Sequence, residues 1–511
     1  MKLAKLFLGV VLVYGIVWRS LPGVDKLFYW RDDWVFLWSN KNNPPILYNE
    51  IGGPAWWIKS GLFHPAYARM FGKIPVETLQ FSGVVIKTIN SFVVGLLVYS
   101  LVRKKLPAFL AMLLFASYGG AAEAYTWHRI TGVAMGFATL AFAFHNFFLS
   151  STKKIYLVGV LAASVVALFS YFGRVVGIFP LFIFSTSLTM YERFKKEYLV
   201  YSLFLILLFL GLFAFTRTSI NAASGSVVAE TILSEISDYK NIKVYFSNLG
   251  NLAQSSFVKL PELGGLIGSI SPLSLFIGCG LFALWIISIL VFAITRSKFF
   301  KLVAICLAWL FLTYFPNWMY AGGGPGTMIG SAHRYFAVSA IFFPLIAGIV
   351  FSRISKTSQI VLFIILLALS LNYSRYLLDK EKYLRDSGKV LKVYREIVRE
   401  TETDPLPRLI VIDTQLDYLA TGWFPYAYGY YKGIRERENF PPVFANLDAA
   451  IKWLCAPSLE DREALGSMYG VPSYQKDRPV LAENIYAWRF SKEGELSNLT
   501  SSLRDHLKQC N

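Results

Sequence analysis

The sequence predicts an α-helical polytopic membrane protein of about eleven transmembrane helices, with a small C-terminal α/β soluble domain on the outer side of the membrane. Three observations predict it. The 511 residues are 55% hydrophobic, 16% aromatic and only 16% charged, with a mean hydropathy of +0.48, too apolar for one soluble domain of ordinary make-up. Eleven apolar runs are long enough to cross a bilayer, given their flanks. The formal charge of +18 is unevenly placed: up to Leu378 there are 31 Lys and Arg against 12 Asp and Glu, and from Asp379 to Asn511 there are 19 against 20. A basic excess confined to the membrane part is what orientation by positive cytoplasmic loops produces, and it removes the main argument for a nucleic-acid partner.

The runs are Leu6–Trp18, Phe81–Val102, Pro107–Ala122, Ile130–Phe148, Ile155–Phe172, Arg174–Met190, Tyr198–Thr216, Pro272–Thr295, Phe299–Tyr314, Tyr335–Phe351 and Gln359–Leu377. Alternate connections separate by charge. Lys2 and Lys5, Arg103 to Lys105, Lys153 and Lys154, Arg193 to Lys196, Arg296 to Lys301, and Arg353 with Lys356 form one short, basic set, expected in the cytoplasm. An odd span count then puts the tail outside, with the first loop (19–80), the Arg217–Glu262 loop and the Phe315–Arg334 loop. The protein is expected in a plasma or inner membrane, with the N-terminus cytoplasmic and the C-terminal domain extracytoplasmic. No small-residue cleavage site follows the first run, which reads as a retained helix.

Two regions follow: a transmembrane part, 1–378, and an extracytoplasmic domain, 379–511. In the first outer loop, Trp30, Trp34, Trp38, Trp56 and Trp57 read as an aromatic belt on helices in the headgroup layer. In the tail, Lys380–Thr401 reads as a charged helix, Arg408–Thr414 as a buried strand, Asn446–Leu454 as a helix, Asn484–Ser491 as a second strand and Leu496–Leu507 as a terminal helix. Asp413, at a strand end, is a weak site candidate. The four cysteines show no metal-ligand spacing, so a zinc site is not expected. Cys455 and Cys510 can pair in an oxidising compartment, although two widely spaced cysteines are more often unpaired.

Chemistry concentrates on the expected outer face. "FYWRDDWVFLW" places Asp32 and Asp33 among apolar residues just beyond the first run. Two carboxylates near lipid cost free energy unless they bind a cation, a donor or a substrate hydroxyl, and one of such a pair can act as a general base. "YGGAAEAYTWHRITG" brings Glu123, His128 and Arg129 to the same face, with a Glu–Arg pair anchoring helix ends as the structural alternative. Arg174, in "SYFGRVVGIFP", reads as a snorkelling anchor or an anion ligand. "NWMYAGGGPGTMIGSAHRYFAVSA" sets glycines and a proline ahead of His333 and Arg334 at a helix start, a combination suited to phosphate. No Walker or GxGxxG pattern is present, and nucleotides are not readily supplied outside the cell, so the implied phosphate is one carried in the lipid.

In this setting "EAYTWHR" (Glu123–Arg129) resembles the "EAVAW..GR" segment, and "HRYFAVSA" (His333–Ala340) the "ERYLYLPS" segment, of the family that includes O-mannosyltransferases with tetratricopeptide tails. More widely, the acidic pair after the first span, the outward-facing layout and the soluble outer domain resemble the GT-C class of integral-membrane glycosyltransferases, which includes the dolichyl-phosphate-mannose protein mannosyltransferases. "FSYFGRVVGIFP" stands where the family has "LSKE....LP", with Arg174 in place of the usual acid, and the tail is not tetratricopeptide-like.

The resemblance implies a GT-C-like fold and transfer of a sugar from a polyprenyl-phosphate donor to a hydroxyl of an acceptor glycan, lipid or protein, with inversion at the anomeric carbon. In that reading Asp33 or Asp32 is the base, its partner orienting it or holding a metal, and Glu123 is a second acid near sugar or acceptor. Arg174, His333 and Arg334 bind the donor phosphate, with Arg129, Arg217 and His128 in reserve. His64 reads more readily as a loop histidine. A divalent cation, Mg or Mn on Asp32 and Asp33, is left open, since hard cations prefer oxygen ligands. The rivals are a transporter or flippase of lipid-linked glycans, a ligase of such glycans that relies on loop arginines and histidines, and a non-catalytic member of the fold. A transporter is expected to bury charge at mid-membrane, whereas nearly every charge here lies at a span end.

Overall fold

The computed structural model describes residues 2–21, 34, 38, 76–126, 129–224, 238–255, 271–319, 326–330, 333–380, 382–402, 409–414, 424–436, 439–444, 446–456, 458, 460–461, 484–491 and 495–508. The chain divides into two compact units. The first takes in the described residues of 2–21 and 78–380, the second Trp34, Trp38, residues 76–77 at the start of the helix that continues into the first, and those from Lys382 onward.

The first unit is helical. Its helices are α1 (Lys2–Ser20), α2 (Val76–Val102), α3 (Lys105–Ser117), α4 (Glu123–Thr126), α5 (Arg129–Ser151), α6 (Lys154–Val175), α7 (Ile178–Glu192), α8 (Lys196–Ser224), α9 (Tyr239–Ser255), α10 (Pro272–Thr295), α11 (Lys298–Met319), α12 (Phe342–Phe351) and α13 (Lys356–Lys380). Among the described residues six stretches are long and apolar enough to cross a membrane: Phe81–Val102, Arg129–Ser151, Gly173–Glu192, Pro272–Thr295, Lys298–Met319 and Lys356–Ser374. Shorter apolar helices occupy the first, third, fifth and tenth runs. The protein is an integral membrane protein.

The sharpest starts and stops have local causes. Ser271 caps α10, its hydroxyl accepting from the Ser274 amide, with Pro272 in the first turn, where a missing N–H costs nothing. Mean hydropathy does not order burial. Of α10 and α11, α10 is the more apolar yet mostly exposed, and α11 is the less apolar yet mostly buried. The most apolar helix faces outward, as a lipid-facing helix does, while the less apolar one lies inside and carries Trp309, Thr313 and Asn317 into the interior.

Several sequence expectations are corrected here. The third run is not one helix to Ala122: α3 stops at Ser117, because the Gly119 backbone lies against Ser374 too closely for any side chain, and Ala121 adopts left-handed φ 57°. The tenth run is helical as α12 only from Phe342. His333 and Arg334 instead precede and open a 3-10 turn, Arg334–Phe336, followed by a second, Ser339–Ile341. Arg217 is not at the start of a loop, because α8 runs on to Ser224; its side chain lies outside what is described. The strongly amphipathic α9 was not expected within the Arg217–Glu262 loop.

The second unit is an α/β fold. β1 (Leu409–Thr414) pairs in parallel with β2 (Val443–Phe444) and with β3 (Ile485–Phe490), and β3 pairs antiparallel with β4 (Leu496–Asn498), giving the order β2-β1-β3-β4. Helices α14 (Lys382–Glu400), α15 (Phe424–Lys432), α16 (Leu447–Leu454) and α17 (Thr500–Leu507) complete it. Leu409, Val411, Phe444, Ala450, Trp453 and Ala487 form its core. The expected terminal helix begins only at Thr500, since Leu496–Asn498 joins the sheet edge. Asp413 faces Arg489 across β1 and β3 and accepts from its Nε at 2.9 Å, an ordinary cross-strand ion pair.

Trp34 and Trp38 are not part of an interfacial belt. They are 1% and 2% exposed, and both lie in an aromatic nest of the second unit. Trp34 packs on Tyr394, Tyr430 and Tyr431. Trp38 packs edge-on to Tyr426 and Phe440, and its Nε1 donates to the Ile434 carbonyl at 2.6 Å. Burial in this nest pushes the Tyr394 phenol well up from its ordinary value, so it stays neutral. Trp30, Trp56 and Trp57 lie outside the described residues. Cys455 is disulfide-bonded, Cys279 and Cys306 are free thiols, and Cys510 lies outside the described residues.

Candidate functional site

The first unit gathers charged residues at one end of its helices. Two short segments build the centre. After the glycine turn, α4 opens at Glu123, which is 8% exposed. Across from it runs 333–341, held from behind by α11: Trp309 Nε1 donates to the Val338 carbonyl at 2.6 Å, and Thr313 Oγ1 meets Ser339 Oγ at 3.0 Å. Glu123 Oε2 accepts from both the backbone N and the Nη1 of Arg334, at 3.2 and 3.1 Å, and lies 3.9 Å from His333 Nδ1. One carboxylate thus serves one guanidinium and the amide that opens the 3-10 turn, as charge-assisted bonds in a largely enclosed place.

Tyr335 links this pair to Arg174. The His333 ring stacks on Tyr335 at 4.5 Å, and the Arg174 guanidinium lies 3.6 Å from the Tyr335 ring centre. Arg174 is 7% exposed. Its position follows from a break in α6 at Tyr171, where φ −162° and ψ 84° interrupt the helix. It also follows from Asn317 of α11, whose Oδ1 accepts from Arg174 Nη1 at 3.3 Å while its Nδ2 donates to the Arg174 carbonyl at 3.0 Å. Tyr171 adds a face 5.0 Å from the guanidinium. Arg174 Nε is buried with no hydrogen-bond partner among the described residues, and no carboxylate pairs with Arg174 there. Two guanidiniums and an imidazole therefore surround one tyrosine ring, with one carboxylate beside them. Aromatic faces hold such cations in place without neutralising them.

The fate of each expected site residue is specific. Glu123, Arg174, His333 and Arg334 come together. Arg129 is buried, 2% exposed, in the first turn of α5. Asp32, Asp33, His64 and His128 lie outside the described residues. Among the described residues no group of three His, Cys, Asp or Glu could hold a metal ion, and Glu123 is engaged by Arg334. Sequence reasoning missed Tyr171, Asn317 and Tyr335, of which only Tyr335, in "HRYF", adjoins a marked pair. It also missed Lys87, an exception to the expectation that nearly every charge lies at a span end: it lies inside the Phe81–Val102 stretch and is 1% exposed.

Helices and charge cluster together define an integral membrane protein with an enclosed cationic site at one end of its bundle. No protein-family model matches the chain, and no curated protein matches it. Among solved structures the chain is similar to the archaeal oligosaccharyltransferase AglB from Archaeoglobus fulgidus, in complex with an inhibitory peptide and a dolichol-phosphate. The identity is 13% and the TM-score 0.46, over 95% of this chain and 69% of that one. It is likewise similar to an Archaeoglobus fulgidus oligosaccharyltransferase in complex with zinc and sulfate, at 12% identity and TM-score 0.45, over 94% and 68% of the two chains.

Proposed function

We propose that the protein is a membrane glycosyltransferase that moves a sugar from a polyprenyl-phosphate donor to an acceptor hydroxyl at the outer face of the membrane. The observation that carries this reading is Arg174: an enclosed guanidinium, held by Asn317 and the Tyr335 ring, without a carboxylate of its own among the described residues. An enclosed cation of this kind favours an anion, and an anion met at a helix end in the membrane is a lipid phosphate. The donor's chain stays in the bilayer while its head group reaches the site. The disulfide at Cys455 supports an oxidising compartment for the second unit, and hence an outward tail.

In this mechanism the acceptor oxygen attacks the anomeric carbon as the bond from that carbon to the phosphate oxygen breaks, with inversion. The electron pair leaves on the polyprenyl phosphate, whose growing charge Arg174, Arg334 and His333 stabilise. The acceptor proton goes to Asp33 or Asp32, and the other aspartate orients it. Glu123 holds Arg334 in place, a more specific part than that of a second acid near the sugar, while the Tyr335 amide donates to His333 Nδ1. Phosphate is already a weakly basic leaving group, so no strong general acid is required. A Mg or Mn ion would be held by Asp32 and Asp33 and would supply Lewis-acid stabilisation of the donor phosphate.

The test is a transfer assay on the purified protein with a short-chain polyprenyl-phosphate sugar, comparing wild type with Arg174→Ala and with an Asp32→Asn, Asp33→Asn double variant. Wild-type transfer that falls at least about a hundredfold in both variants is expected, since each removes a distinct transition-state contribution. Full transfer by the double variant would overturn the base assignment. Full transfer by Arg174→Ala would overturn the phosphate assignment, and lipid-linked sugar crossing the bilayer without transfer would point to a flippase instead.

A further inference from the structure

α3 ends among buried residues, Ala116, Ser117 and Tyr118, and a helix leaves its last carbonyls without intrahelical donors, a cost that a water-free interior cannot relieve. Three other helices supply the donors. Ser20 Oγ of α1 donates to the Ala116 carbonyl at 2.8 Å, Ser374 Oγ of α13 to the Ser117 carbonyl at 2.7 Å, and Lys87 Nζ of α2 to the Tyr118 carbonyl at 2.9 Å. Lys87 Nζ also donates to Ser20 Oγ at 2.8 Å, which ties two of the three together. The capped segment leads straight into the turn through Gly119 and left-handed Ala121 to Glu123.

The same face of α2 holds the far side of that turn. Residues 83, 87 and 90 recur at helical spacing. Gly83 lies against the Tyr125 carbonyl closely enough that no side chain fits, and Lys87 sits 5.8 Å from the Tyr125 ring. Asn90 Nδ2 donates to the Gly132 carbonyl of α5 at 2.8 Å and to the Tyr125 hydroxyl at 3.3 Å. One stripe of α2 therefore grips the segment from Tyr118 to Gly132, which contains Glu123 and Arg129. No carboxylate pairs with Lys87 among the described residues, so its ammonium is satisfied by a backbone carbonyl, a hydroxyl and a ring face.

We propose that Lys87 is a positioning residue, assisted by Asn90, which fixes the Glu123 turn and through it the Glu123–Arg334 pair. The proposal rests on the glycosyl-transfer reading only for what the pair is used for. The geometry by itself requires that losing the Lys87 ammonium loosen residues 118–126 before it loosens the rest of the unit. Glu123 and Arg334 would then sample positions in which the phosphate ligands no longer converge.

The experiment is amide hydrogen exchange on the full-length protein in lipid nanodiscs, combined with binding of geranylgeranyl phosphate. The proteins are wild type, Lys87→Met, Asn90→Ala and Ser374→Ala. For Lys87→Met, exchange is expected to rise about tenfold or more at Gly119–Thr126 and at 334–336 while α10 stays unchanged, with probe affinity falling about tenfold. Ser374→Ala, which frees one carbonyl but keeps the charge, is expected to loosen 117–120 less. Unchanged exchange at 119–126 in Lys87→Met, or a rise as large in α10 as in the turn, would overturn the proposal, the latter because it marks a merely stabilising residue. Should Lys87→Met fail to fold, Asn90→Ala decides, with faster exchange over 123–126 and 129–132 supporting the proposal and unchanged exchange opposing it. If wild type does not bind geranylgeranyl phosphate, the glycosyl-transfer reading falls, while the exchange results still decide the role of Lys87.

Discussion

At one end of the first unit Arg103, Lys104, Lys153, Arg193, Arg296 and Arg353 are exposed, and their partners are mostly helix-end groups: Lys104 donates to the Ser352 carbonyl, Arg193 to the Leu149 carbonyl and Arg103 to Ser150. Away from that end the cations Lys87, Arg129 and Arg174 are all less than 10% exposed, as is the Glu123 carboxylate; Arg174 sits against the Tyr171 and Tyr335 rings and the Asn317 amide, and Lys87 near the Tyr125 ring. Cations of the first kind stay in water or headgroups, gain from helix C-termini and cost little. Those of the second kind are kept out of water at a cost, and a protein retains them where they act. The exposed end also has a buried polar pair, His145 Nδ1 and Tyr201 OH at 2.8 Å, with the imidazole stacked on Phe142 and Phe182. The difference teaches that basic residues of one helical unit fall into two environments, exposed beside helix ends or enclosed among rings and amides.

The comparison can be broken from its strongest point. Glu123→Ala leaves Arg334 enclosed without its counter-charge, and breaking such a pair is expected to destabilise the protein by about 3 kcal/mol, read as a lowered thermal midpoint in detergent. A midpoint equal to wild type would show that water reaches the pair and that the end is not enclosed. Asn317→Ala removes the amide that holds Arg174 on both sides and is expected to cost about 1–3 kcal/mol, together with weaker lipid-phosphate binding.

At the opposite end, Lys104→Gln is expected to change stability by less than about 0.5 kcal/mol, because an exposed cation is replaced by a group that still donates. A large loss there would erase the contrast between the ends. One change is expected to be a gain: Ala121→Gly relieves left-handed strain and stabilises by up to about 1 kcal/mol, provided the turn keeps its shape.

Much of this was legible in the sequence, and the limits have physical reasons. Glu123, Arg174, His333 and Arg334 stand out because charge at an apolar boundary is conspicuous in one dimension, but their meeting depends on the kink at Tyr171 and the 3-10 turns after His333, which composition does not encode. Lys87 is inconspicuous because a single polar residue within an apolar run reads as tolerated, and Asn317 because it falls in the expected Phe315–Arg334 loop, whereas α11 runs on to Met319. Only the approach of α1, α3 and α13 shows what Lys87 holds. Trp34 and Trp38 were read as interfacial because amphipathic rings suit both a headgroup layer and a wet-edged core, and only their partners Tyr394 and Phe440 tell the two apart. The third run looked like a full span because alanines and glycines are apolar enough to extend it, whereas close backbone approach at Gly119 ends it.

The central claim is that the enclosed end is built for a lipid phosphate, and it is tested most directly by comparing geranylgeranyl phosphate with geranylgeraniol as ligands of the wild-type protein and of Arg174→Ala in nanodiscs. The account predicts that wild type binds the phosphate at least about tenfold more tightly than the alcohol, a difference of about 1.4 kcal/mol, and that Arg174→Ala abolishes the preference while leaving affinity for the alcohol unchanged. Equal affinity of wild type for both ligands, or a phosphate preference that survives in Arg174→Ala, would contradict it.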